Sequence, residues 1–325
     1  MKYTGQIREF IFEDDRPFPS CHASTLVVLP GGDVLAAWFG GTREKAGDVA
    51  IWMSRREGGT WSYPVKIADR ENVPHWNPVL FRRGDGVLFL YYKAGYTIPE
   101  WETMVMRSHD DGRTWSDPAP LVPGDIGGRG PVKNKPITLG DGTLLAPASL
   151  EPAWDCFADI SRDGGETWER SETVPLDHSG LKGRGIIQPT LWESAPGRVH
   201  MLTRSTEGAI YRSDSADGGR TWCPAYPTEL PNNNSGIDLV QLDDGTLALV
   251  YNPVRPESGT KGPRTPLVLH LSGDNGETWH SGLLLDQGEG EFSYPSIVAA
   301  GRELYVTYTW KRERIAFQKI TLAQS

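Results

Sequence analysis

One eight-residue pattern, repeated along the chain, constrains its fold more than any other feature. Ser108 to Trp115 (SHDDGRTW) returns as Ser161 to Trp168, Ser215 to Trp222 and Ser272 to Trp279, each with Asp third, Gly fifth and Thr seventh. Ser54 to Trp61 is a weaker copy in which Arg56 replaces the aspartate. The leading serines stand at 54, 108, 161, 215 and 272, a period of about 54 residues, too long for one hairpin and suited to a four-stranded propeller blade. The boxes themselves read as scaffold: Asp and Ser side chains bond turn amides, Gly supplies positive φ, and Trp fills the gap between sheets.

A second periodic mark sets the blade count. Turn glycines Gly32, Gly86, Gly142, Gly197, Gly245 and Gly301 each precede an apolar run. Six turns against five boxes predict six blades, with the box of the last blade lost. The Asp-Gly pairs read as hairpin turns with both central residues at positive φ. Segments 6–11 and 315–320 read as strands that share one blade and close the ring, leaving no free edge. The expected architecture is all-β, a single six-bladed propeller domain over residues 1–325. The stretches 93–102 and 253–263 are expected as rim loops.

Composition narrows the function classes. The formal net charge of −9 argues against nucleic acid or anionic lipid as main partner. The N-terminus lacks an apolar h-region and no stretch approaches about 18 apolar residues, so a cytoplasmic protein without a membrane span is expected. Cys21, Cys156 and Cys223 are scattered and odd in number, which argues against disulfides or a zinc site. Histidines lack metal-ligand spacing, and the glycine runs lie in hairpin turns and not before helices. A cofactor-free enzyme is the economical reading.

In a propeller the innermost strands face a shared axial mouth. The residues aligned there are His22, Asn77, Lys135, Gln188, the stretch from Ser235 to Asp238, and Tyr294. All of these slots are polar, and four are followed by proline. The far ends of the second strands bring Arg43, Glu44, Lys93, Glu151, Arg204, Asn252 with Arg255, and Lys311 with Arg312 to the same mouth. Cations gathered on the axis of an acidic protein predict a pocket for a small anion, and Arg suits a carboxylate.

With these residues in view the chain resembles the sialidase superfamily, in particular its predicted-neuraminidase branch with BNR or Asp-box repeats, over nearly its whole length. The resemblance implies three arginines on the substrate carboxylate, a tyrosine nucleophile paired with a glutamate, and an aspartate as acid/base. The stretch around Tyr294 (FSYPSIV) resembles the nucleophile strand, Arg264 matches the third arginine and Arg204 the second. Gln188 falls where the glutamate would be, and His22 lies nearest the place of the first arginine. The acid/base loop offers only Glu44 and Asp48.

Two chemistries follow. Hydrolysis requires a base for tyrosine, whose ordinary pKa is about 10, and a proton donor. Neutral Gln188 cannot be the base; Glu44, Asp48 or Glu151 is the available donor. β-Elimination on a uronate requires instead that Lys133, Lys135, Arg204 and Arg264 neutralise the carboxylate while His22 and Tyr294 serve as acid and base. The resulting expectation is a sialidase-like exo-glycosidase acting on a terminal acidic sugar of an oligosaccharide, with a lyase as alternative. Tyr294, His22, Gln188, Glu44 and Asp48 are its candidate catalytic residues. Arg204, Arg264, Lys133, Lys135, Asn77, Arg43, Glu151 and Asp238 are its candidate binding residues. A third class is a non-catalytic glycan- or protein-binding propeller, with Trp76 and Trp101 stacking a sugar.

Overall fold

The computed structural model describes residues 3–323 and contains six antiparallel sheets, the six blades of a β-propeller. Blade 1 runs from its inner strand Ser20–Val28 through Val34–Gly41 and Ala50–Glu57 to Thr60–Trp61, with Val65–Ala68 also pairing against the third strand. The inner strands of blades 2 to 6 are His75–Arg82, Ile137–Thr138, Ile186–Ala195, Asp238–Gln241 and Phe292–Ala300. Tyr3–Phe10 pairs with Arg314–Leu322 as the outermost strand of blade 6, with Ile7 opposite Lys319, so the first and last strands close the ring as expected.

Second strands are largely buried on both faces because each sheet is covered by the next blade on either side. All eight residues of Val34–Gly41 are buried, as are all seven of Leu88–Ala94. Leu35 and Ala37 of blade 1 pack in one cluster with Leu80, Leu88 and Leu90 of blade 2. A second cluster joins Ala248 and Val250 of blade 5 to Ile297, Leu304 and Val306 of blade 6. Truncating one such leucine to alanine costs roughly 2–5 kcal/mol.

Each box is a self-contained hydrogen-bonded turn between the third and fourth strands. Asp110 accepts from the Thr114 amide at 2.8 Å and the Thr114 hydroxyl at 2.6 Å, while Ser108 Oγ accepts from the Gly112 amide at 2.8 Å. The same bonds recur at Asp163, Asp217 and Asp274. They hold these carboxyls below the usual range, to about 2 at Asp274, where the Thr278 hydroxyl is the largest cause. In the weak copy the carboxylate comes from elsewhere: Glu9 Oε1, on the ring-closing strand, accepts from Arg56 Nε and, at 2.9 Å, from Trp61 Nε1.

The Asp-Gly turns differ from expectation. Gly86, Gly142 and Gly245 have φ of 97°, 89° and 84°, but the preceding aspartates do not share the left-handed region. Their side chains instead accept from the amide two residues on, as Asp141 does from Thr143 at 2.9 Å, so one left-handed residue per turn suffices.

Candidate active site

The site begins with an irregularity repeated in four blades. Register against the second strand slips by one residue between His22 and Thr25, Trp76 and Val79, Ile187 and Thr190, and Ser293 and Ser296. The extra residue has left-handed φ in every case: Ala23 at 55°, Asn77 at 38°, Gln188 at 55° and Tyr294 at 53°. A non-glycine residue there costs of order 1 kcal/mol or more, and a bulge re-aims a side chain. Proline follows at 78, 189 and 295, where it gives up no ladder amide and disfavours the α region for the residue before it. The aligned slot is therefore Ala23, Asn77, Gln188 and Tyr294. His22 stands one residue earlier than the sequence alignment places it.

These bulges open on an axial pocket of about 540 Å³. Tyr294, only 8% exposed, is its hub. The phenol oxygen accepts from Arg204 Nη1 at 2.8 Å and from Gln188 Nε2 at 3.3 Å. Gln188 Nε2 also reaches Glu151 Oε1 at 3.1 Å, and Gln188 Oε1 accepts from Arg204 Nη1 at 3.1 Å. Burial pushes the Glu151 carboxyl up, against the opposing pull of Arg204 and the Gln188 amide. The carboxylate thus stands one amide away from the tyrosine and not in contact with it.

The His22 ring packs against that of Tyr294, centroids 4.3 Å apart and tilted by 43°. Its pKa is held well below the ordinary value, by burial first and then by Arg312, Arg264, Arg204 and Lys133. Arg312 Nη2 lies 3.4 Å from His22 Nε2, and a guanidinium only donates, so Nε2 is the unprotonated nitrogen. Nδ1 then carries the proton toward Thr309 Oγ1 at 2.8 Å.

Three guanidiniums face this hub. Arg204 uses Nε on Asn234 Oδ1 at 2.7 Å and Nη1 on Gln188 and Tyr294, which leaves Nη2 without a hydrogen bond among the described residues. Arg264 lies 5.4 Å over the Tyr294 ring and gives Nη1 to Glu291 at 2.6 Å. Arg312 donates Nε to Glu291 at 3.1 Å and Nη1 to Glu44 at 2.6 Å. Glu291 is held below the usual carboxylate range: burial raises it, but Arg264 and Arg312, followed by hydrogen bonds from Ser293 and Arg264, outweigh that. The free edges of Arg204 and Arg264 are where an incoming carboxylate finds donors.

Of the expected residues, His22, Glu44, Asn77, Glu151, Gln188, Arg204, Arg264 and Tyr294 line the pocket. Five others do not. Asp48 turns back on its own loop, accepting from the Thr42 amide and hydroxyl at 2.9 and 2.6 Å, bonds that lower its pKa. Arg43 is exposed outside the lining. Lys133 is buried behind Tyr294, where Nζ donates to Ile237 O at 3.0 Å and to Pro295 O. Burial pushes its ammonium down to about 7. Lys135 and Asp238 form an ion pair at 2.9 Å, and Asp238 also accepts from the Ile297 amide; this pair ties blades together away from the pocket. Blade 3 supplies only a two-residue inner strand, and the Lys133, Asn134 and Lys135 side chains before it donate to carbonyls of blades 4 to 6.

Rim expectations divide similarly. Lys93 is fully buried, donating to Thr103 Oγ1 and Arg129 O at 2.5 and 2.7 Å, and Asn252 bridges Pro266 O and Phe292 O. Trp101, 2% exposed, packs edge-on against Trp76, 4% exposed, and both stand in the pocket wall. Arg312, which the strand ends bring to the mouth, lines the pocket as expected, and Trp154, Arg184 and Lys261 join it although the repeat alignment does not place them there.

A six-bladed ring with Asp-box turns and an arginine-lined axial pocket defines a propeller of the sialidase superfamily. More narrowly, the chain belongs to the BNR repeat-like domain family, which it matches over residues 32–306. A sialidase of Micromonospora viridifaciens is 27% identical over 223 residues, covering 61% of this chain and 32% of that relative. The match thus spans about a third of the relative's length. The Hadza microbial sialidase Hz136 superimposes with a TM-score of 0.79 at 20% identity, covering 97% of this chain and 68% of that one. A protein of unknown function from Dyadobacter fermentans gives 0.77 at 16% identity and covers 99% of both chains. At these identities the structures share the fold.

Proposed function

We propose that this protein is a sialidase-type exo-glycosidase that removes a terminal carboxylate-bearing sugar from a glycan. The observation that carries the reading is the convergence of Arg204, Arg264 and Arg312 on Tyr294 at a left-handed bulge. In this reading Arg204 Nη2 and the free edge of Arg264 bind the sugar carboxylate, and Glu291 keeps Arg264 and Arg312 in place. The Tyr294 oxygen attacks the anomeric carbon as the glycosidic bond breaks, its phenol proton passing to water, while a carboxyl on the leaving side protonates the departing oxygen; water then cleaves the tyrosyl–glycosyl bond and restores the phenol. Glu44, beside Arg312, and Glu151, whose raised pKa favours its acid form, are the carboxyls within the lining.

A second reading has its own observation: Gln188 is neutral, and His22 is held as the neutral imidazole next to the tyrosine. On a uronate, His22 or Tyr294 would take the proton α to the carboxylate while the arginines stabilise the carbanion charge, and the C4 oxygen would leave. The test is mass spectrometry of products from oligosaccharides that carry either a terminal sialic acid or a uronate glycosylated at its C4 oxygen. Products whose summed mass gains one water support hydrolysis; an unsaturated uronate with no added water overturns it in favour of elimination. A panel left untouched overturns both.

A further inference from the structure

The pocket holds more positive charge than one carboxylate needs. Five cations line it, Arg184, Arg204, Lys261, Arg264 and Arg312, against two carboxylates, Glu44 and Glu151. Glu44 is taken by Arg312, and Glu291, outside the lining, by Arg264 and Arg312. Arg184 and Lys261 form no ion pair among the described residues, although the chain carries a net charge of −9.

These two cations belong to one wall. Arg184 lies over the Trp154 ring at 5.9 Å and donates to Pro152 O. Its loop is pinned: His178 bonds Arg184 O at 2.9 Å and Asp155 Oδ1 at 2.7 Å. Gly185, at φ 137°, passes so close that a Cβ there would meet Trp154 O at 2.6 Å. Lys261 comes from the loop after the second strand of blade 5, anchored where the Gly262 amide donates to Asn233 O at 3.0 Å. The loops touch, since a Cβ at Gly183 would lie 2.9 Å from Thr260 Cγ2. Two cations without ion pairs, one of them over an aromatic face, thus line the pocket from touching loops next to the arginine cluster.

We infer that Trp154, Arg184 and Lys261 form a second subsite that binds an oxyanion, sulfate or carboxylate, on the sugar adjoining the terminal acidic one. The natural substrate is then a glycan with acidic groups on two successive sugars. This inference rests on the arginine pocket holding the terminal acidic sugar. Arg184 donates to the oxyanion, Lys261 supplies the second charge, and the Trp154 ring packs against the adjoining sugar.

The test is calorimetric titration of the wild type and of R184A/K261A with three acidic disaccharides. Their second sugars are neutral, sulfated or a uronate. The wild type is expected to bind one or both doubly charged forms roughly tenfold more tightly than the neutral-neighbour form. That preference should fall below about twofold in the variant, and should shrink in the wild type as salt is raised. Whichever doubly charged form gains more identifies the oxyanion. Equal wild-type affinity for all three, or a preference that survives R184A/K261A, would overturn the second subsite while leaving the arginine pocket standing. No binding of any of the three would overturn the pocket reading and this inference together.

Discussion

Exchanging Gln188 and Glu151 tests how the tyrosine is served. In Q188E alone, the new carboxylate lies beside Arg204 Nη1, which is 3.1 Å from Gln188 Oε1 in the native protein, and beside the Tyr294 oxygen at 3.3 Å. It also faces Glu151 across what is now a 3.1 Å amide-to-carboxylate bond. Two charges about 4 Å apart at an effective dielectric near 20 repel by about 4 kcal/mol. Arg204 offsets part of this, leaving a net cost on the order of 2 kcal/mol when both carboxyls are ionised. The pair instead retains a proton, so its folded pKa rises above the unfolded value. A raised carboxyl pKa stabilises at low pH and is lost as pH climbs through it. Q188E should therefore melt near the wild type at pH 5 and well below it at pH 8.

The double variant Q188E/E151Q restores one carboxylate and one amide with their roles exchanged, and should regain wild-type stability at both pH values. It also places a base on the tyrosine, a change worth on the order of a hundredfold in turnover. The assay is hydrolysis of a fluorogenic glycoside of whichever acidic sugar the wild type binds, alongside urea melts at pH 5 and 8. PH-independent stability of Q188E would refute the close approach of Gln188 and Glu151. Because Glu151 is itself a candidate proton donor, E151Q alone is the reference: a folded double variant that binds the sugar and turns it over no faster than E151Q would refute Tyr294 as a nucleophile limited by its base.

Other consequences are more direct. Glu291→Gln removes the carboxylate shared by Arg264 and Arg312; with all three side chains partly exposed, the loss should be about 2 kcal/mol in urea denaturation at pH 7. Because the Glu291 pKa is lowered, its contribution is present at neutral pH and fades as pH falls through the acid range, so E291Q should narrow the gap to wild type on acidification. Lys133→Met should change the pH profile of stability. With its ammonium at about 7 when folded and an ordinary value of 10.5, the unfolded chain binds more protons between those limits. Stability from this group therefore rises with pH, by about 1–2 kcal/mol from pH 7 to 9, and a K133M profile that kept the rise would refute this. Glu9→Ala strands Arg56 and Trp61 at the ring closure and should cost about 1–2 kcal/mol of unfolding free energy.

The fold was legible because its signals are local. The Asp110 box closes its own hydrogen bonds within seven residues, and a glycine marks each hairpin. The ring closure was readable too, because two orphan strands at opposite ends of the chain had no other partner. Part of the site was legible for the same reason: proline after Asn77, Gln188 and Tyr294 marks the bulge that aims each at the axis. Where that mark is missing or misleading, reading fails. Blade 1 has Ala23 and Ser24 in place of the pair, which put His22 off by one. Lys135 precedes a proline but lies in a blade whose inner strand is two residues long, and its ammonium goes to Asp238.

What could not be read is which slots meet. Gln188 bonds a tyrosine 106 residues away, Glu44 an arginine 268 away, and His22 a threonine 287 away. No window of sequence contains such a pair. Lys311 and Arg312 are chemically alike and both left-handed, at φ 53° and 58°. Arg312 is the one drawn inward, because carboxylates from blades 1 and 6 wait for it while Lys311 lies over Trp310. The neutral Gln188 acquires its meaning the same way. A carboxylate in its place would claim the charge of Arg204; the amide takes only one Nη1 hydrogen bond and leaves the Nη2 edge open. The site thereby gives up a base at its tyrosine and keeps a guanidinium edge open to the pocket.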